Sequence, residues 1–181
     1  MRGSVVNASG ASIQVNRGWA NTGAFNGAGS TVTASNSCAN TSTSFSGNTT
    51  FFNLSATVPD HMLNLAAGSE QQVAGLLTLN GVQLLGQGGN SYLTLLPGGT
   101  QAINAVGVNQ VDATRGQQLA PTLDNQIAGG TAPNWFRSAI TPAGPVPVPA
   151  TGPLGLALMG LLLCAAAFAQ RRSGTPRRTP R

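Results

Sequence analysis

His61 is the single histidine of this 181-residue chain, and Asp60, Glu70, Asp112 and Asp124 are its only acids. One histidine excludes a multi-histidine metal site, and a Ser-His-Asp assembly would have to be built on His61. The chain contains no Gly-x-Ser-x-Gly elbow, no phosphate loop and no Gly-x-Gly-x-x-Gly fingerprint. Coming directly after Pro59-Asp60, His61 reads as a loop or cap residue. The four carboxylates are far apart in sequence, and spacing alone leaves a glycosidase-type pair open. Trp19, Trp135 and Tyr92 have the ring faces to stack on sugars, although lone aromatics beside strands more commonly pack in cores or at edges. The expectation is a protein that is not an enzyme, with no catalytic, cofactor-binding or metal-ligating residue to assign.

The charge inventory narrows the partners. All nine basic residues are arginine, and only 7% of the chain is charged, against roughly 25% in an ordinary globular protein. Arg2, Arg17, Arg115 and Arg137 balance the four acids, so residues 1–170 are neutral and the whole +5 sits in Arg171, Arg172, Arg177, Arg178 and Arg181. A nucleic-acid binder needs cations spread over a face that tracks phosphates. This body has none to spread, so no nucleic-acid partner is expected. Soluble helices usually carry Lys and Glu on their wet face, and a chain with one Glu and no Lys is poorly suited to them. Disorder through charge repulsion does not fit a chain that is 41% hydrophobic.

The elements that must position these residues are strands. Residues 1–60 hold 8 Asn, 10 Ser, 8 Thr and 7 Gly, interrupted by short alternating runs at Ser12–Asn16, Thr31–Thr33 and Thr49–Val58. Thr and Val suit a pleated, half-buried surface, and Asn and Gly suit its connections. Leu76–Leu79 and Val82–Leu85 flank Asn80-Gly81, which reads as a type I′ hairpin that pairs Leu79 with Val82 and Leu77 with Leu84. That register puts Leu77, Leu79, Val82 and Leu84 on one face and Thr78 and Gln83 on the other. Tyr92–Leu96 and Gln101–Val108 extend it to a meander of about four strands. The spacing within 109–132 does not choose between a short helix and a loop. The fold expected for residues 1–132 is therefore antiparallel β, sandwich-like, with the Asn80-Gly81 hairpin at its centre.

Residues 133–153 contain six prolines and read as a linker, extended and poor in ladder donors. Leu154–Ala169 is sixteen residues without a charge. With its proline-glycine flank it approaches the length that spans a bilayer as a helix, so 154–170 is expected to be a single transmembrane helix. Residues 171–181, with five arginines, then form a stop-transfer cluster on the cytoplasmic side, and the body lies outside. A body that crosses the inner membrane needs a signal region, and Met1-Arg2-Gly3-Ser4 leads into no apolar stretch. The native product is expected to start upstream of Met1. Cys38, the only cysteine outside the apolar run, is either free or paired in that upstream sequence.

The order proline motif, short apolar run, terminal arginine cluster resembles the PEP-CTERM class of bacterial sorting signals and its exosortase-recognised relatives. Val146, Pro147, Val148, Pro149, Ala150 and Thr151 match that class's Val-Pro-Glu-Pro-Ala-Thr pattern at five positions of six. Val148 stands where the class has its glutamate, a residue that the related IPTL-type signals also lack. The resemblance covers about residues 144–172. It implies export, a precursor in the inner membrane with a cytoplasmic C-terminus, cleavage near the proline motif by an exosortase-like enzyme, and delivery to the surface or extracellular matrix of a Gram-negative bacterium. The expected function is a sorted surface or matrix protein with a structural or adhesive body. Two alternatives remain: a secreted enzyme with a dispersed site, and a permanently anchored single-pass periplasmic protein.

Overall fold

The computed structural model describes residues 5–36, 40–89, 91–124, 126–127 and 130–137. Among them are sixteen short strands and no helix. The strands are β1 (Val5–Asn7), β2 (Ser12–Val15), β3 (Gly18–Ala20), β4 (Ala24–Asn26), β5 (Thr31–Ala34), β6 (Ser42–Ser46), β7 (Thr49–Phe51) and β8 (Asn53–Ala56). They continue as β9 (Met62–Ala66), β10 (Glu70–Val73), β11 (Leu76–Asn80), β12 (Gln83–Gln87), β13 (Ser91–Leu95), β14 (Thr100–Asn104), β15 (Gly107–Asn109) and β16 (Val111–Asp112). Each strand pairs in parallel with the third one along the chain, giving the orders β14-β11-β8-β5-β2, β15-β12-β9-β6-β3 and β16-β13-β10-β7, with β1-β4 as a separate pair. The described residues wind as a parallel β-solenoid with three strands to a coil. Ser12 lies beside Thr31 and Gly18 beside Ser44, so a coil takes from 19 to 26 residues.

This replaces the antiparallel sandwich expected from the sequence. Asn80-Gly81 does make a tight turn, with Gly81 at φ 68°, a backbone region that β-carbon-bearing residues avoid. That turn is a corner between two sheets and not a hairpin. Leu79 pairs with Ala56 and Ile103, while Gln83 pairs with Met62 and Gly107. The meander is likewise absent: 76–109 supplies β11 to β15, spread over all three faces. Thr49–Val58 breaks at Phe52 into β7 and β8, and Gln101–Val108 divides between β14 and β15. The physical reason is that alternation reports which side of a strand is buried, not which strand lies next to it. Leu77, Leu79, Val82 and Leu84 are all buried at 2% exposure or less, as a hairpin face would require. They point into the solenoid from two adjacent faces.

The interior is built from rows that run from coil to coil. Val15, Ala34, Ala56, Leu79 and Ile103 form one row, and Ile13, Val32, Leu54 and Leu77 form another. The first row mixes small and large side chains, and the second is uniformly large. Where backbones crowd, glycine is required: a Cβ on Gly47, at φ 72°, would run into the carbonyl of Asn21. Near the start of the solenoid Trp19 packs edge-on against Phe25 at 4.9 Å and beside Phe51 at 5.3 Å. After β16 the chain crosses the far end of the core, where Leu119, Ala120, Trp135 and Phe136 are buried. Gln101, Gln117 and Gln118 tie that segment down through their side-chain amides. The described residues belong to one unit, Met1–Ala139. The proposed transmembrane segment 154–170 lies outside the described residues, and no helix among those residues is long and apolar enough to cross a membrane.

Candidate functional site

The parallel register brings four titratable side chains, Glu70, Tyr92, Asp112 and Arg115, onto one outer face. Glu70 on β10 pairs with Tyr92 on β13, which pairs in turn with Asp112 on β16. Strands lie about 4.8 Å apart, so the two acids stand roughly 10 Å from each other with the phenol ring between them. Arg115 folds back over this row. Its guanidinium carbon lies 3.5 Å from the Tyr92 ring centroid and its Nη1 donates to Glu70 Oε2 at 2.7 Å, a cation–π contact and an ion pair made by one side chain.

Glu70 is saturated with donors. Thr94 Oγ1 donates to its Oε1 at 2.7 Å and Gln72 Nε2 at 3.3 Å, while Thr50 Oγ1 donates to Gln72 Oε1 at 2.8 Å. Partial burial pushes the Glu70 pKa upward, but the hydrogen bonds from Thr94, Arg115 and Gln72 outweigh it and hold the carboxyl below its ordinary value. The Arg115 pKa is raised, first by its hydrogen bond to Glu70. A general acid in a glycosidase needs the opposite shift, so Glu70 is not set up for that role. Asp112 Oδ1 accepts from the Thr114 backbone N–H at 2.7 Å. Together these contacts fasten the 113–116 turn to the outer face. Beside Asp112, a polar cleft of about 280 Å³ is lined by Gly89, Ser91, Gln110, Thr131 and Pro133.

His61 lies elsewhere. It is 2% exposed, inside the solenoid rather than in an open loop, and its Nε2 is 2.9 Å from Thr43 Oγ1. Burial lowers its pKa against a smaller upward pull from the Asn40 backbone, an approach that falls short of a formed hydrogen bond to Nδ1. Among the described residues no carboxylate bonds to its Nδ1, so the Thr43–His61 contact is not extended to a nucleophile–base–acid chain. Asp60 occupies a left-handed turn position at φ 59° and donates its backbone N–H to the Gly81 carbonyl. Trp19 and Trp135 pack against the core, and Trp19 Nε1 donates to Thr49 Oγ1 at 3.0 Å. Tyr92 alone of the three aromatics faces outward, with Arg115 across its ring.

No group of three or more His, Cys, Asp or Glu that could hold a metal ion exists among the described residues. Val146–Thr151, the five C-terminal arginines and Cys38 lie outside the described residues. The sequence reading missed Arg115, Thr94 and Gln72 as partners of Glu70. Arg115 is 45 residues away from it, and only the coil repeat, visible in the spacing of Glu70, Tyr92 and Asp112, connects them. Comparison with known proteins matches no family model, no curated protein and no solved structure.

Proposed function

We propose that this chain is an exported surface or matrix protein whose solenoid body has a structural or adhesive role. Its C-terminal signal directs it first to the inner membrane and then, after cleavage by an exosortase-like enzyme, to the cell surface. The observation that carries the reading is the order of Val146–Thr151, the uncharged run Leu154–Ala169 and the arginines from Arg171 to Arg181. Proline keeps the motif extended and free of competing hydrogen bonds, the form in which processing enzymes generally take a substrate. Arginines resist crossing a bilayer, which fixes the C-terminal end on the cytoplasmic side.

The body supports the same reading. One outward row is neutral and hydroxyl- or amide-bearing, with Gln14, Thr33, Ser55 and Thr78 across four coils. A face of repeating small polar groups suits contact with a surface polymer or a neighbouring chain better than discrimination of one small substrate. The test is mass spectrometry of surface material from a host with a matching exosortase. Mature protein should lack the residues after the motif, and Pro149→Ala or removal of the five arginines should leave uncleaved precursor. Recovery of peptides from the Arg177–Arg181 end in surface material would overturn sorting in favour of permanent anchoring.

A further inference from the structure

The solenoid wall has one break in its ladders among the described residues. β4 follows β1 and precedes β7 in the same stack, yet it bonds only to β1, and the order β16-β13-β10-β7 stops at β7. Alternate residues of a parallel strand turn their peptide groups to opposite neighbours. The Asn26 carbonyl accepts from the Ala8 N–H, and the Phe51 carbonyl accepts from the Ala74 N–H. The peptide groups of Phe25 and Thr50 therefore face each other across the break, without a ladder to pair them. Both strands lie inside the stack, with β1 beyond one and β10 beyond the other, so the break does not depend on either end of the solenoid.

At the break the outer surface sinks into a pocket of about 280 Å³ that is open to solvent. Pockets for drug-sized ligands run to roughly 300–1,000 Å³, so this one suits a single ring. Phe25 and Phe51 form its apolar floor, with ring centroids 6.0 Å apart. Phe52, which is 42% exposed, stands at the rim. Glycines set two of these rings in place. A Cβ on Gly27 would collide with the Phe25 ring, and one on Gly75 would press on the Phe52 ring. Asn26, Ala28 and Thr50 complete the wall, and no lining residue carries a charge.

We propose that this pocket binds one sugar ring of a neutral polysaccharide. A charged ligand would meet no counter-charge there and would lose its hydration. A purely apolar ligand would cover the Phe25 and Thr50 peptide groups and leave them unsatisfied. A pyranose ring meets both demands. Its C–H face packs on an aromatic ring, and the hydroxyls around its rim donate to and accept from the open peptide groups and the Asn26 amide. The solvent-open mouth lets the polymer continue past Phe52. No acid lines the pocket, so the sugar is held and not cleaved. The inference rests on the adhesive reading of the body and not on the C-terminal signal.

The full-length chain in a zwitterionic detergent without sugar headgroups gives the test, by saturation-transfer NMR with cellohexaose, maltohexaose and N-acetylchitohexaose. At least one should bind and be recovered at its original length. Phe52→Ala and Ala28→Glu should each weaken that binding by roughly tenfold or more. Both positions are exposed, so each variant should keep the parent circular dichroism spectrum. Met62→Ala removes a similarly exposed apolar side chain, at 38%, from another face, and should bind as the parent does. Binding of none of the three oligosaccharides overturns the proposal. So does binding that both pocket variants leave unchanged, or equal weakening by Met62→Ala. Shortened oligosaccharide in the mixture overturns holding in favour of hydrolysis. Cleavage at the C-terminal motif is read separately, so failure here leaves the sorting test standing.

Discussion

Burial of the His61 ring keeps it neutral in the folded chain, while Glu70 is kept ionised by the hydrogen bonds that converge on it. The two residues therefore act on stability in separate pH windows. A histidine whose folded pKa is lowered contributes fully above its ordinary value of 6.5, and that contribution is lost as pH falls through 6.5 toward the folded value. A carboxylate whose folded pKa is lowered contributes fully above its ordinary value of 4.5, and the loss comes as pH falls through the folded value. Urea midpoints measured across the acid range should decline in two stages. His61→Leu should flatten the upper stage and leave the lower one, and Glu70→Gln should do the reverse. A single decline that neither substitution alters would contradict this assignment. The sequence shows Glu70 only as one of four widely separated acids, because its partners Gln72, Thr94 and Arg115 come from successive coils.

Within one strand, the contrast between neighbouring leucines tests the inside–outside pattern. Leu77 and Leu79 of β11 are fully buried, whereas Leu76 is 39% exposed. Leu79→Ala removes a fully buried side chain from a row shared with Ala56 and Ile103. It should cost about 2–5 kcal/mol, and Leu76→Ala should stay within about 0.5 kcal/mol, both read from denaturant unfolding. Equal costs would mean that the strand does not present alternate residues to a core. A solenoid and a sandwich make the same prediction here, which is why alternation made the strands legible and left their pairing undetermined. Gly81 is similar: positive φ serves a hairpin turn and a solenoid corner equally.

Across the stack of coils, stability is a sum of nearest-neighbour interfaces more than a single all-or-none core. Phe136→Ala opens the roof at the far end, where Phe136 is 1% exposed and its backbone N–H bonds to Leu119. Amide exchange should accelerate in 113–120 and in β14 to β16, and much less in β2 to β6. Uniform acceleration along the body would show that the coils unfold as one unit. The roof's anchoring through Arg115 and Glu70 also gives the charged residues a structural purpose, which their wide separation in sequence did not suggest.

The sequence by itself determined that the body is β, neutral and turn-rich, located seven runs that fall on β2, β5, β7–β8, β11, β12, β13 and β14–β15, and placed Leu77, Leu79 and Leu84 on the buried side of their strands. Those properties belong to single strands, so composition and period-two alternation are sufficient to specify them. It also set out the C-terminal order of motif, apolar run and arginines. Only the tertiary structure decided that the strands are parallel, that Asn80-Gly81 turns a corner, and that Glu70, Tyr92, Asp112 and Arg115 meet on one face. Pairing depends on which backbone groups come within hydrogen-bonding distance across coils of 19 to 26 residues. Because that spacing is irregular, no fixed repeat marks it, and the relation between residues one coil apart becomes visible only when the chain is wound.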